Sequence, residues 1–206
     1  MTGGTGLYMK AFTKGLDEIP AIDPVIRQEI ITQYGNLGLD WLQEEVRKSD
    51  PDFHSKGEIQ NPQRMMRALE VIRSTGQSVL LYRKGSAITR PFRILKIGID
   101  LPREALYSRI NQRVDGMMKE GLLEEVRSLL PYKEFNALQT VGYAELFDHL
   151  AGNSSLDKAI DLIKQHTRNY AKRQLTWFKK DESIKWFAPD EQDKMIEWIE
   201  ANQARS

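Results

Sequence analysis

Only two stretches of this 206-residue chain carry the β-branched and aromatic pattern of a strand, residues 92–100 and 183–187. Two short strands cannot form a sheet broad enough to cover the many helical stretches around them. The chain therefore reads as mostly α-helical with about two short strands. The first strand runs directly into a Pro-started helix over 102–119, which is the elementary half of an α/β unit. What results is an α/β core lacking most of its β.

The helices mark their own ends. Asp23-Pro24 places an N-cap acceptor before Pro at the first helical position and predicts a helix to about residue 34; Asn61-Pro62 does the same for 63–74, and Gly76 closes that helix. Between them, 39–48 puts Leu39, Trp41, Leu42 and Val46 on one apolar side. In the third helix Met65, Met66, Leu69, Val71 and Ile72 alternate with Arg64, Arg67 and Arg73. Residues from about 20 to 80 form a small all-helical unit, and further helices are predicted over 122–130, 143–150, 155–180 and 191–202. At the front, Gly3-Gly4-Thr5-Gly6 is a strand-to-helix turn, followed by the helical pattern Leu7, Tyr8, Ala11, Phe12.

Composition removes several classes of chemistry. With no cysteine, there are no disulfides, thiolate metal sites or Cys nucleophiles, and three scattered histidines, His54, His149 and His166, read as surface or boundary residues rather than a metal site. No apolar run approaches the roughly 18 residues of a membrane span, and the start M-T-G-G-T-G is not a signal peptide, so the expected compartment is the cytoplasm. Thirty basic against 29 acidic residues leave a net charge of +1, so any cationic surface has to be local.

One such surface lies in 167–179, T-R-N-Y-A-K-R-Q-L-T-W-F-K, where Arg168, Lys172, Arg173 and Lys179 interleave with Tyr170, Trp177 and Phe178. Cations hold phosphates and aromatic rings stack bases, which is the residue mix of an RNA-binding surface; a core-packed helix with a solvated face uses the same residues. Arg109 and Arg113, spaced i,i+4, project from one helix face and either neutralise a diphosphate or pair with Glu104 and Asp115. Gly3-Gly4-Thr5-Gly6 either lets backbone amides approach an anion or is a tight connection, and Gln139-Thr140-Val141-Gly142-Tyr143 is a loop leading into a helix. The Walker A pattern G-x-x-x-x-G-K-[ST] is absent, which argues against a small-molecule kinase.

Taken in order, residues 3–8 (G-G-T-G-L-Y), 23–27 (D-P-x-x-R), 61–71 (N-P-Q-R-x-x-R-A-L-E-V), 106–113 (L-Y-x-R-I-x-x-R), 141–146 (V-G-Y-x-E-L) and 167–178 (T-R-x-Y-A-K-R-Q-x-T-W-F) resemble the tRNA dimethylallyltransferase family, also called tRNA isopentenyltransferases. The resemblance implies an α/β, P-loop NTPase-like core, here 1–19 with 92–206, and an inserted helical tRNA-binding domain at 20–91. It also implies transfer of a dimethylallyl group from dimethylallyl diphosphate to N6 of the adenosine 3′ of the anticodon, in tRNAs reading codons that start with U. Carried over, Thr5 sits in the reaction channel, and Arg109 and Arg113 meet the diphosphate. Gly3, Gly4, Arg27, Gln63, Arg64, Arg67, Gln139, Thr140, Gly142, Tyr143, Arg168, Lys172, Arg173, Gln174, Thr176, Trp177 and Lys179 grip the anticodon stem-loop. A base whose exocyclic amine reacts must leave its stack, so grips around a channel are what this chemistry needs.

In that family the P-loop with its Lys, the Asp that takes the amine proton and most of the parallel sheet precede the part matched here. The chain is accordingly expected to be a C-terminal portion that holds tRNA without completing the reaction alone, to carry no ligand for the family's Mg²⁺, and to act as a monomer only at full length. A helix and strand layer without its sheet exposes apolar surface, so the isolated chain is expected to self-associate. Sedimentation showing a monodisperse, cooperatively melting monomer would contradict this, as would dimethylallyl transfer at a normal enzymatic rate.

Overall fold

The computed structural model describes residues 1–83, 85 and 88–203, so the loop expected at 84–91 lies partly outside the described residues. Elements run in the order α1 (Gly6–Lys14), α2 (Pro24–Ser49), α3 (Pro51–Lys56), α4 (Pro62–Thr75), α5 (Val79–Tyr82), β1 (Lys96–Ile99), α6 (Arg103–Lys119), α7 (Leu122–Ser128), α8 (Tyr143–Leu150), α9 (Leu156–Phe178), β2 (Ile184–Phe187) and α10 (Gln192–Gln203). Two single 3₁₀ turns, Leu130–Tyr132 and Asn136–Leu138, lie between α7 and α8. The chain divides into two compact units: Leu7–Pro91, and Met1–Gly6 together with Phe92–Ser206. This division falls at Gly6, earlier than the expected break near residue 20.

In the unit Leu7–Pro91, Asp23 and Asn61 cap α2 and α4 through their side chains, each followed by Pro, as their sequence predicts. The two helices expected up to 34 and over 39–48 are legs of one element, α2. They are broken at Gly38, whose φ of 76° is in the left-handed region that glycine enters without cost. The short helices α3 and α5 are absent from the sequence reading because six and four residues are too few to show a period. Asp50 joins α2 to α3: its amide donates to the Val46 carbonyl while its carboxylate accepts from the Phe53 amide at 3.0 Å. Ile30, Leu42 and Val46 of α2, Phe53 of α3, Met65, Leu69 and Val71 of α4, and Val79 of α5 are fully buried in one core.

In the other unit, β1 and β2 pair in parallel with Lys96 opposite Ile184 and Ile99 opposite Phe187. The ladder occupies four residues of each predicted strand, and the Asp100 amide donating to the Phe187 carbonyl at 2.9 Å extends it by one bond. Parallel sheets are ordinarily covered on both faces, yet Ile97 and Ile99 stand exposed. The core of this unit lies away from the sheet, where Val114 of α6, Val126 of α7, Leu146 and Phe147 of α8, and Ala159 and Ile163 of α9 are buried together.

The start of β1 is tied to the end of the α9 region by Lys96, whose Nζ donates to Asp181 Oδ2 at 2.7 Å and to Ser183 Oγ at 3.0 Å. Burial alone would push the Asp181 carboxyl up. The hydrogen bonds from Lys96 and Ser183 outweigh it and hold the group down at about 2. A carboxyl with a depressed folded pKa contributes stability that is present above its unfolded value and lost as pH falls through the folded value. Asp181→Asn is therefore expected to cost about 1–2 kcal/mol at neutral pH. In urea unfolding the variant and the parent should converge as pH drops from about 4 to about 2, and a pH-independent difference would contradict the assignment.

Candidate nucleic-acid interface

Helix α9 begins at Ser155, whose hydroxyl accepts from the Lys158 amide, and its 23 residues span about 34 Å. Only its first half is anchored in the core, through Ala159 and Ile163. The second half carries the cationic and aromatic residues, each in a distinct setting. Arg168 donates to Asn111 Oδ1 of α6 at 2.7 Å and lies 6.0 Å from the centre of the Tyr107 ring. Arg173 lies over Tyr170, and Lys179 pairs with Asp100 at 3.0 Å beside the Trp186 ring. Lys172 is exposed and has no ion pair among the described residues. The Thr176 hydroxyl turns back to the Lys172 carbonyl at 2.9 Å.

Gln174 and Trp177, expected among the RNA contacts, lie against the turn at the front of the chain. The Gln174 Nε2 donates to the Gly4 carbonyl at 2.6 Å. A Cβ on Gly4 would lie 2.5 Å from that amide nitrogen, and a Cβ on Gly6 would lie 2.6 Å from the Trp177 indole. At Gly6 the Trp177 ring occupies the space a side chain would take, whereas at Gly4 the obstacle is the movable end of the Gln174 side chain. Thr5, between them, is exposed.

On α6, Arg109 and Arg113 are both exposed and make no ion pair or hydrogen bond among the described residues. The expected pairing with Asp115 does not form: Asp115 is held by Lys164 of α9 at 2.6 Å, since the α6 and α9 packing brings that ammonium to its side of the helix. Glu104 forms no ion pair with either arginine.

Before α8, Gln139 Nε2 donates to the Lys133 carbonyl at 2.5 Å, and Gly142 turns the chain with a φ of 104°. The buried Glu145 accepts from the Gly142 amide at 2.7 Å through one oxygen, and its other oxygen lies 2.5 Å from His166 Nδ1 of α9. Thr140 is exposed, and its carbonyl accepts from the Ala144 amide at 3.1 Å. Tyr143 donates its hydroxyl to Glu125, which raises the pKa of the phenol above the usual tyrosine range. Glu145 entered the sequence reading only as the Glu of V-G-Y-x-E-L, with no role, although its place three residues after Gly142 is the capping-box spacing.

The helical unit presents a second cationic group. Arg27 of α2 donates Nε and Nη2 to the two oxygens of Glu70, each at 3.0 Å, and Arg67 donates Nη1 to the same carboxylate at 3.1 Å. Burial pushes the Glu70 carboxyl up, but the hydrogen bonds from Arg27 and Arg67 outweigh it and leave the group below its usual range. Arg64 pairs with Glu58, Arg73 pairs with Glu45 at 2.8 Å, and Gln63 is exposed. Spacing on α4 could have suggested the Arg67 contact, an i,i+3 pair. The Arg27 contact spans 43 residues and leaves no local trace.

Among the described residues no group of three or more His, Asp or Glu converges to hold a cation. Nor is any described helix long and apolar enough to cross a membrane.

The chain is mostly helical, with one small parallel ladder and exposed cations on α6 and α9. The pattern defining the IPP transferase family matches residues 1–181, and the chain belongs to that family. It is 47% identical over 199 residues to tRNA dimethylallyltransferase 1 of Bacteroides thetaiotaomicron, covering 97% of this chain and 65% of that protein. To the tRNA dimethylallyltransferase of Christiangramia forsetii it is 46% identical, covering 98% and 67%. The chain thus spans about two thirds of the length of the curated relatives it matches. Among solved structures, the full-length tRNA isopentenylpyrophosphate transferase of Bacillus halodurans superposes with a TM-score of 0.56 at 35% identity, over 97% of this chain and 63% of that one. A eukaryotic dimethylallyltransferase acting on tRNA shares the fold, with a TM-score of 0.62 at 22% identity over 92% and 51%. The expected fold class holds: the chain is mostly helical, with two short strands, in an α/β, P-loop-like family fold.

Glu70→Gln keeps the shape of the side chain but removes the charge that two arginines share, and is expected to cost about 1–3 kcal/mol at pH 7. Because the folded pKa is depressed, this stabilisation is full above the unfolded carboxylate value near 4.3 and is lost as pH falls below it. Denaturant midpoints measured from pH 7 to pH 3 should show the parent approaching Glu70→Gln, and parallel curves would contradict the assignment.

Proposed function

We propose that this chain serves the transfer of a dimethylallyl group from dimethylallyl diphosphate to N6 of the adenosine 3′ of the anticodon, in tRNAs reading codons that begin with U. In that reaction the amine nitrogen attacks the first carbon of the dimethylallyl group, the carbon–oxygen bond to diphosphate breaks, and the amine gives up a proton. The chain's part is to hold the anticodon stem-loop and to neutralise the departing diphosphate. Its setting is the cytoplasm, and Mg²⁺ accompanies the diphosphate without a ligand from this chain.

One observation carries the reading: Arg109 and Arg113 are exposed, four residues apart on α6, and unpaired among the described residues. Arg27, Arg47 and Arg64 are engaged by carboxylates and Arg173 by a ring, whereas these two idle guanidinium groups share one helix face and are available for an anion with several oxygens. Support comes from the same unit, where Lys172 is equally unpaired and Tyr170 and Trp177 remain part-exposed for stacking. Gly3, Gly142 and Gln139 to Tyr143 fit the role of backbone approach to the nucleotide, and Arg168, Arg173, Thr176 and Lys179 that of phosphate contact. On the helical unit Arg27, Arg64, Arg67 and Gln63 offer a further grip.

Two substitutions test this. Arg109→Gln with Arg113→Gln is expected to weaken binding of inorganic diphosphate by about tenfold or more in calorimetric titration. Lys172→Gln is expected to weaken binding of an anticodon stem-loop RNA severalfold and to lower the slope of log K against log salt by about one. Diphosphate affinity unchanged by the loss of both arginines would overturn the reading, as would RNA binding without salt dependence.

A further inference from the structure

We propose that Gln174 and Trp177 are positioning residues for Thr5: they hold the Gly3 to Gly6 turn against α9 and so set where the Thr5 hydroxyl is presented. The proposal rests on the functional reading above and on the family resemblance that implies a place for Thr5 in the reaction channel, but its central observation is independent of both. Two successive approaches of α9 to the turn, one turn of helix apart, pin both flanks of Thr5. On one side the Gln174 amide donates to the Gly4 carbonyl at 2.6 Å. On the other the Trp177 indole fills the volume where a Gly6 side chain would stand, with a Cβ there only 2.6 Å from the ring.

A polar side chain and a flat ring differ in what they fix. The Gln174 bond fixes the direction of the peptide between Gly4 and Thr5, because a carbonyl accepting from a fixed donor cannot rotate freely. Trp177 fixes the height of the turn above the helix by steric contact over the wide face of an indole. It is itself braced by Phe178, edge-on at 4.8 Å between centroids. Thr5, between these two contacts, is exposed, so a ligand can meet its side chain. One of the two N–H donors of the Gln174 amide is committed to the Gly4 carbonyl, so its effect on a ligand is argued through the turn, while Trp177 stays 41% exposed.

The test reads the turn itself. In protein with ¹³C-labelled threonine methyls, the Thr5 signal is assigned by its loss in Thr5→Ser. Gln174→Ala is expected to move that signal towards its unfolded position, and to raise amide exchange at Gly4, Thr5 and Gly6 at least tenfold. Gly6→Ala is expected to disturb the Thr5 signal similarly, and adding Trp177→Ala to it should restore the signal, because the smaller residue frees the space the new methyl needs. Trp177→Phe, which retains a ring on the helix, serves where Trp177→Ala lowers the melting temperature too far. An unmoved Thr5 signal in Gln174→Ala overturns the proposal. So does failure of the Trp177 change to rescue Gly6→Ala. Failure of the functional reading shows separately, as a Thr5 signal held in place by α9 but indifferent to added inorganic diphosphate and to RNA.

Discussion

The burial of Ala159 and Ile163 is the contact on which the second unit depends, because it fixes one end of a helix whose other end carries the interleaved cations and aromatic rings. A helix held along its first half behaves as a stiff rod, so anchoring in the core of α6, α7 and α8 also aims the exposed half. Along that half, successive turns meet Asn111, the Gly4 carbonyl and Asp100 in order. Each contact is a polar bond to a different segment, and all of them share one register. Shifting α9 by one residue would rotate the entire series by about 100° and lose every one of them.

The helical unit works by a different device. There, Glu70 is a buried anion that gathers Arg27 and Arg67 from two helices, and the guanidinium groups stay partly in solvent. A buried carboxylate with one arginine would neutralise it; with two it leaves the group one positive charge in excess. The same carboxylate thus stabilises the packing of α2 on α4 and keeps both cations in fixed positions. The contrast with Arg109 and Arg113 is physical: those two side chains are exposed and oriented only by their own helix.

Much of the fold was legible from sequence because it is written in local rules. Asp23-Pro24, Asn61-Pro62 and Ser155 are caps that work through neighbouring amides, and Gly76 ends α4 through its own backbone freedom. The two strands were also recognisable, although only four residues of each pair. What failed were short elements without a full period, α3 and α5, and the join at Gly38 that turns two predicted helices into one bent element. In the site, residue types and their order were readable, and the partners were not. Asp115 is adjacent in sequence to the arginines it was matched with, but it turns to Lys164.

Sequence by itself determined where helices begin and end, which of their faces are apolar, and the order of motifs that places this chain in its family. Those properties depend on contacts within a few residues, which the backbone and the nearest side chains settle alone. Only the tertiary structure decided which cations are occupied and which are idle, that a buried Glu70 gathers two arginines, and that Gln174 and Trp177 face a glycine turn some 170 residues earlier in the chain. Such assignments depend on which groups packing brings within about 3 Å of each other, a distance that sequence separation does not encode.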